Sequence, residues 1–175
     1  MTTIDKQVTL VFTKSPRLSR RFIRWLTNGR VNHVMIEYYD EIYDARMILE
    51  ADSSGIRIVP AHKNKRNVSH EYVCDFDCSG GFKSVMKYIG DKYDWSSLFL
   101  LGFILLLKKI FKFKFKELNF NTKEQKCSEL TANFLNRELV KYNGSFVHHP
   151  FMPEYTTPED ILRFCEFKKD SFTKV

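Results

Sequence analysis

Two stretches of alternating hydrophobicity between residues 31 and 60 constrain the fold most strongly. In the first, VNHVMIEYYD, apolar residues alternate with His33, Met35 and Glu37, so the two sets fall on opposite faces of a strand. In the second, ARMILEADSSGIRIVP, two β-rich runs flank the turn signal at residues 52–55 and predict a hairpin. Residues 31–60 are therefore predicted to form adjacent antiparallel strands.

Shorter patterns on either side predict further elements. KQVTLVF alternates as a strand, and SPRLSRRFIRWLTNGR is typical of a short basic amphipathic helix that ends at Gly29. HEYVCDFDC predicts another short strand. SGGFKSVMKYIGDKYDW predicts a helix that begins after the Gly80-Gly81 pair.

The last predicted helix carries a complete set of start signals. In TTPEDILRFCEF, Thr157 is the expected N-cap, Pro158 occupies the first helical position and Asp160 lies three residues past the cap. Strands and helices thus alternate irregularly along the chain, and the order predicts an α+β fold.

Length and composition indicate one domain over residues 1–175. The chain is 43% hydrophobic and 15% aromatic, which suffices for a core and argues against disorder. No basic segment leads into an apolar run at the N-terminus, so we expect a cytoplasmic protein. In that reducing compartment Cys74, Cys78, Cys127 and Cys165 are expected to be thiols.

Residues 98–116 form the most hydrophobic segment. Its uninterrupted apolar run, Leu98 to Leu107, has ten residues, well short of the roughly 20 that a membrane-spanning helix needs. Lysines interleave with phenylalanines in the second half, IFKFKFK. Three interpretations stay open: a buried helix, an element that contacts a membrane surface, and an edge strand protected by lysines.

Cys127 stands at the start of an amphipathic helix predicted from CSELTANFLNREL. A helix N-terminus favours the thiolate, which is the nucleophilic form, through its unpaired N–H groups and positive dipole end. The same N–H groups can stabilise an oxyanion. The alternative is a core thiol, because free cysteine is among the most buried residue types.

A nucleophilic thiol needs a base, and the base needs an orienting group. His33 lies within the strong strand pattern, and Glu50 lies on the neighbouring predicted strand among apolar residues. Adjacent antiparallel strands bring such side chains within reach of each other, so a His33–Glu50 pair is plausible. The alternative for each is a polar residue on a half-exposed sheet.

Four segments in this order, VNHVMIEYY, ILEADSSGIRIVP, KYDW and KCSEL, resemble the circularly permuted branch of the NlpC-type papain-like cysteine hydrolases. That group includes relatives of lecithin retinol acyltransferase. The resemblance covers about residues 7 to 165. It implies an α+β papain-like fold, in which an antiparallel sheet or partial barrel packs against helices and the nucleophile begins a late helix.

Residue by residue, the resemblance implies Cys127 as nucleophile, His33 as general base and Glu50 as the group that orients the imidazole. It implies a peptidase, amidase or acyltransferase activity on an amide or ester bond, with no metal or other cofactor. Tyr93, in KYDW, is a candidate substrate-binding residue, with a core aromatic as the alternative. One departure is Asn32, which precedes the histidine where a small hydroxyl residue is expected.

The substrate follows less directly. A peptide-like and an acyl-chain-bearing substrate are both open, and the apolar segment 98–116 favours the second. The main alternative function is a catalytically inactive lipid- or protein-binding member of the same fold, as in a virus or phage, where the compartment would be the host cytoplasm.

Two other functions are disfavoured. The spacing of Cys74, Cys78 and the histidines does not match paired zinc ligands, and both cysteines fall on one face of a predicted strand. His148 and His149 are a weaker alternative source of the base. The net charge of +7 comes without a recognised nucleic-acid module, so specific nucleic-acid binding is not expected.

Overall fold

The computed structural model describes residues 7–14, 29–64, 67–93, 126–142 and 150–175, with the single positions 21, 24, 25, 103, 106 and 107. Six strands and three α-helices make up this part of the chain, which is an α+β structure as predicted. The strands are β1 (Thr9–Thr13), β2 (His33–Asp40), β3 (Ala45–Asp52), β4 (Gly55–Pro60), β5 (Val68–Cys74) and β6 (Phe172–Lys174). The helices are α1 (Ser79–Val85), α2 (Cys127–Tyr142) and α3 (Pro158–Phe167).

The strands form one antiparallel sheet in the order β4-β3-β2-β1-β5-β6. The predicted β3–β4 hairpin is confirmed, and Asp52 Oδ1 accepts a hydrogen bond of 2.8 Å from the Ser54 N–H within its turn. Gly55 follows with a φ of +106°, a conformation that glycine adopts without steric cost. A side chain there would also meet the Asp91 carbonyl, so the turn accepts only glycine.

The two faces of the sheet differ in what they bury. The main core lies on the face that carries Val34, Ile36 and Leu49, and it includes the apolar side chains of all three helices. A small second cluster of Val11, Met35 and Ile48 lies on the opposite face. The alternation predicted for β2 is therefore confirmed, but both of its faces are buried near the start of the strand.

α1 and α2 pack closely because two glycines stand at their contact. A side chain on Gly81 would meet the Phe134 ring, and one on Gly80 would meet the Glu138 carboxylate. The Gly81 N–H also donates a hydrogen bond to Glu138 Oε1. We predicted that this helix begins after the glycine pair, which is wrong: α1 begins at Ser79, because a close helix approach outweighs the low helix propensity of glycine.

The start of α3 joins the C-terminal part of the chain to the segment before β2. The predicted cap is confirmed, since Thr157 and Asp160 form a reciprocal capping box with Pro158 at the first helical turn. The buried carboxylate of Glu159 accepts hydrogen bonds from the Arg30 backbone N–H at 2.6 Å and from Arg30 Nε at 2.9 Å. Arg163 Nε adds a third at 3.1 Å.

These contacts make the stability of the fold depend on pH. Burial opposes ionisation of Glu159, but the hydrogen bonds from Arg30 and Arg163 outweigh it and hold its pKa below the usual value. A carboxyl with a lowered folded-state pKa stabilises the fold above its unfolded-state pKa of about 4.3, and the contribution declines as pH falls through the folded-state pKa.

Glu159→Gln is therefore expected to lower the free energy of unfolding by about 1.5 kcal/mol at neutral pH, a typical value for charged hydrogen bonds. The difference from the wild type should shrink below about pH 4, where the wild-type carboxyl also becomes neutral. Urea unfolding of the wild type and Glu159→Gln at several pH values measures this difference in unfolding free energy. Glu41→Gln, at an exposed turn residue, controls for the change in net charge. A difference that stays constant with pH would contradict the assignment.

The structure corrects two further expectations, and other predictions concern residues outside the described ranges. Cys78 does not share a strand with Cys74, because β5 ends at Cys74 and Cys78 is the N-cap of α1. β6 was not predicted. Residues 15–28, 98–116 and 143–149, which include His148 and His149, lie outside the described residues except at the single positions given above. Within the described ranges, no helix has the length and apolar character that crossing a bilayer requires.

Candidate active site

A buried histidine and a buried glutamate meet where β2 begins and β3 approaches its end. His33 Nε2 lies 3.3 Å from Glu50 Oε2. The His33 side chain is 4% exposed and the Glu50 side chain is fully buried. The predicted pair is thus present, and neither residue is the half-exposed sheet residue of the alternative interpretation.

The second carboxylate oxygen of Glu50 is also occupied. Arg57 Nη2 donates to Glu50 Oε1 at 3.1 Å and to Asp52 Oδ2 at 2.8 Å. One guanidinium nitrogen therefore bridges two carboxylates, and Glu50 lies between an imidazole and a guanidinium. Hydrogen bonds and a positive neighbour are the compensation that a buried carboxylate requires.

The hairpin explains why Arg57 reaches this position. A turn of two residues pairs Asp52 with Gly55, and counting back along both strands places Glu50 directly opposite Arg57. Arg57 and Asp52 were not predicted as parts of the site. The predicted turn fixes the hairpin register, and that register could have predicted the contact between Glu50 and Arg57.

Cys127 is the first residue of α2, as predicted. Its side chain belongs to the main core and the residue is 6% exposed. The turn around it is anchored by Thr131 Oγ1, which donates to the Cys127 carbonyl at 2.9 Å, and by Ser128 Oγ, which donates to the Thr156 carbonyl at 2.6 Å. α2 packs against β2 and β3, the two strands that carry His33 and Glu50.

Two of the three other cysteines lie in settings that suppress thiolate formation. Burial raises the pKa of the Cys165 thiol far above its ordinary value. A hydrogen bond with the Cys78 thiol, together with burial, raises the pKa of Cys74. Cys78 is itself buried, and its thiol donates to the Phe76 carbonyl at 3.4 Å. These residues are structural thiols, and they serve as internal references for the chemistry of Cys127.

The remaining candidate residues lie on other elements than the buried pair. Tyr93 is partly buried and packs against the main core, as in the alternative interpretation of that residue. His62 is exposed in the 3₁₀ turn Ala61–Lys63. His70 lies on β5, where burial and the nearby Lys174 lower its pKa. Among the described residues, no three His, Cys, Asp or Glu side chains are arranged to hold a metal ion.

No protein-family model and no curated protein matches the sequence. The chemistry of the site has to be inferred from its own residues. A buried imidazole–carboxylate pair can orient a base and take up a proton, and a cysteine at a helix N-terminus can act as a nucleophile.

Proposed function

We propose that this protein is a cysteine hydrolase or acyltransferase that acts on an amide or ester bond through Cys127, His33 and Glu50. The buried His33–Glu50 pair is the observation that supports this proposal most directly. A carboxylate is rarely fully buried unless it is paired, and a buried carboxylate–histidine pair is typical of functional sites. The two strands that carry the pair also pack against α2, the helix that begins at Cys127.

In the proposed mechanism, Cys127 transfers its proton to His33 and the thiolate attacks the substrate carbonyl. Because Nε2 of His33 faces Glu50, Nδ1 is the nitrogen that accepts this proton. The tetrahedral oxyanion collapses as the imidazolium protonates the leaving amine or alcohol, leaving a thioester on Cys127. Water or another acceptor, deprotonated by the same imidazole, then attacks the thioester and releases the thiol.

Glu50 contributes orientation and charge. A carboxylate at Nε2 fixes the imidazole tautomer that presents Nδ1 as the base, and it stabilises the imidazolium once the proton has moved. The backbone N–H groups at the start of α2 are the proposed oxyanion donors, because they lie at the positive end of the helix dipole, where Cys127 begins the helix.

The proposal also defines where the active site opens. The strand register places His33 and Glu50 on the face of Met35 and Ile48, whereas α2 packs on the opposite, main-core face. The thiol and the imidazole therefore have to meet at the rim of the sheet, where β2 begins at His33. Both groups are nearly buried, so the proposal requires local opening at this rim for a substrate to reach them.

The proposed fold is the permuted NlpC-type papain-like fold. Support comes from the six-stranded antiparallel sheet, the histidine on an early strand and the cysteine at the start of a late helix packed on that sheet. The proposed substrates are peptide-like or acyl-chain-bearing amides and esters, with residues 98–116 as the proposed membrane-surface contact. The proposed location is the cytoplasm.

Acylation by activated substrates tests the proposal. The wild type is incubated with p-nitrophenyl esters of short and long acyl chains and with peptide p-nitroanilides, followed by intact mass and by nitrophenolate or nitroaniline release. We expect a burst of product and an acyl adduct that maps to Cys127. Cys127→Ala should lose both signals, whereas Cys165→Ala, which removes a buried structural thiol, should keep them.

The chain length that gives the largest burst would separate an acyl-chain substrate from a peptide-like one. A wild type that forms no adduct with any probe, or a Cys127→Ala variant with an unchanged burst, would overturn the proposed hydrolase. The remaining function would then be a binding protein with the same fold.

A further inference from the structure

Arg57 is the residue of this site that neither the sequence patterns nor the proposed triad accounts for. Its Nη2 contacts the Glu50 and Asp52 carboxylates at 3.1 and 2.8 Å, and the side chain as a whole is 42% exposed. It lies on β4, one strand further from His33 than Glu50 does. Arg57 therefore reaches the His33–Glu50 pair through its contact with Glu50.

We infer that Arg57 holds Glu50 as the carboxylate and thereby sets the lower pH limit at which His33 can activate Cys127. This inference rests on the proposed function and concerns the regulation of the same site by pH. Arg57 is a positioning residue, because it reaches no reacting atom and acts through Glu50.

The physical argument starts from the burial of Glu50. A fully buried carboxylate ionises only where positive charge or hydrogen-bond donors compensate the lost hydration. A guanidinium carries a permanent charge, whereas in the proposed mechanism the imidazole is positive only after it has taken the thiol proton. Before that transfer, Arg57 supplies a permanent positive charge at hydrogen-bond distance from Glu50.

Other charged and titratable groups near the site also influence the protonation of Glu50. Asp52 shares Arg57 with Glu50 and adds a negative charge to the same cluster. From the α2 side, Lys126, Cys127 and Glu129 are buried at the start of the helix that packs on β2 and β3. β1 contributes no titratable side chain, because its residues are TLVFT.

Arg57→Gln is therefore expected to move the acid limb of Cys127 alkylation upward by about one pH unit. Without the guanidinium, Glu50 takes up a proton at higher pH, and a neutral Glu50 no longer stabilises the imidazolium that accompanies the thiolate. The shift stays near one unit because Arg57 is partly exposed and water screens part of its charge.

The experiment follows two signals in the same proteins. Carbon NMR of glutamate-labelled protein reports the protonation of Glu50, assigned by the loss of its signal in Glu50→Gln. Iodoacetamide alkylation with intact mass reports the reactivity of Cys127 against pH. In Arg57→Gln both midpoints should rise together. In a Glu50→Gln background, adding Arg57→Gln should leave the acid limb where it is, because the carboxyl that Arg57 controls is gone.

Two further variants make the prediction directional. Arg57→Lys should restore most of the wild-type midpoint, because a single nitrogen makes both contacts and one ammonium can replace it. Asp52→Asn should move the acid limb downward, since Arg57 then serves Glu50 alone and a neighbouring negative charge is lost. This variant also keeps the oxygen that accepts the Ser54 N–H, so it tests the inference even if Arg57→Gln does not fold.

Arg46→Gln is the matched control. Arg46 makes a cross-strand ion pair with Glu37 on the same sheet at 2.9 Å, and its removal should leave both midpoints unchanged. An Arg57→Gln protein whose Glu50 titrates as in the wild type would overturn the inference. A wild-type Cys127 that is unreactive at every pH would instead overturn the proposed function, while the Glu50 titration still decides whether Arg57 controls the carboxylate.

Discussion

Replacing His33 by alanine is expected to raise the apparent pKa of Cys127 alkylation by about two units and to slow alkylation about tenfold near pH 6. In the proposed site the imidazole stabilises the thiolate, so its loss returns Cys127 toward the ordinary thiol value of about 8.5. The thiolate fraction at that pH then falls by about a hundredfold, but a more basic thiolate is intrinsically more nucleophilic, which offsets part of the loss. Intact mass after timed reaction with iodoacetamide measures the rate.

The same reasoning predicts a reversal at high pH. Above about pH 9.5 both proteins are fully ionised at Cys127, and the His33→Ala thiolate should then react faster than the wild-type thiolate because it is more basic. A general loss of structure would not produce this crossing of the two profiles. His62→Ala, at an exposed histidine, is the matched control. Parallel pH profiles for the wild type and His33→Ala would contradict the pairing of His33 with Cys127.

Local sequence signals predicted much of the architecture because each reports a strong short-range preference. The alternation in residues 31–40, the turn at residues 52–55 and the capping residues of α3 all appear in the structure as predicted. Each depends on side chains close together in the chain. The strand β6 carries only three residues and pairs with β5 across about a hundred positions, so no local pattern could indicate it.

The helix α1 shows where local propensity fails. Gly80 and Gly81 predict that the helix begins after them, because glycine disfavours a helix, yet both lie inside α1. The reason is a contact distant in sequence: Phe134 and Glu138 of α2 occupy the space where side chains would stand. Such packing requirements become visible only once the two helices are placed side by side.

The candidate site also has a part that the sequence predicted and a part that it did not. Residue chemistry and strand position sufficed to pair His33 with Glu50, because neighbouring strands constrain that geometry. The burial of the pair was not predicted, since alternation alone does not tell whether the second face of a sheet is covered. Arg57 was missed because an arginine in GIRIVP looks like an outward-facing polar residue until the hairpin register is counted from the turn.

Replacing Phe134 by alanine is expected to lower the free energy of unfolding by about 3–5 kcal/mol. The ring is fully buried and packs edge-on against Phe82 at a centroid distance of 5.2 Å, and Phe82 packs against Tyr38 of β2 at 4.7 Å. This row of aromatic rings connects α2 through α1 to the sheet. Gly81 borders the ring and has no side chain to fill the vacated space, so the cavity should persist. Urea unfolding measures the loss.

Two substitutions locate the effect. Phe134→Leu keeps most of the buried volume and should lose less than half as much stability as Phe134→Ala. Phe167→Ala removes the same group at a position that is 80% exposed and should change stability by less than about 0.5 kcal/mol. Because the aromatic row holds the helix that begins at Cys127, Phe134→Ala should also move the apparent pKa of Cys127 alkylation toward the ordinary thiol value. A loss below about 1 kcal/mol in Phe134→Ala would mean that other contacts hold α2 on the sheet.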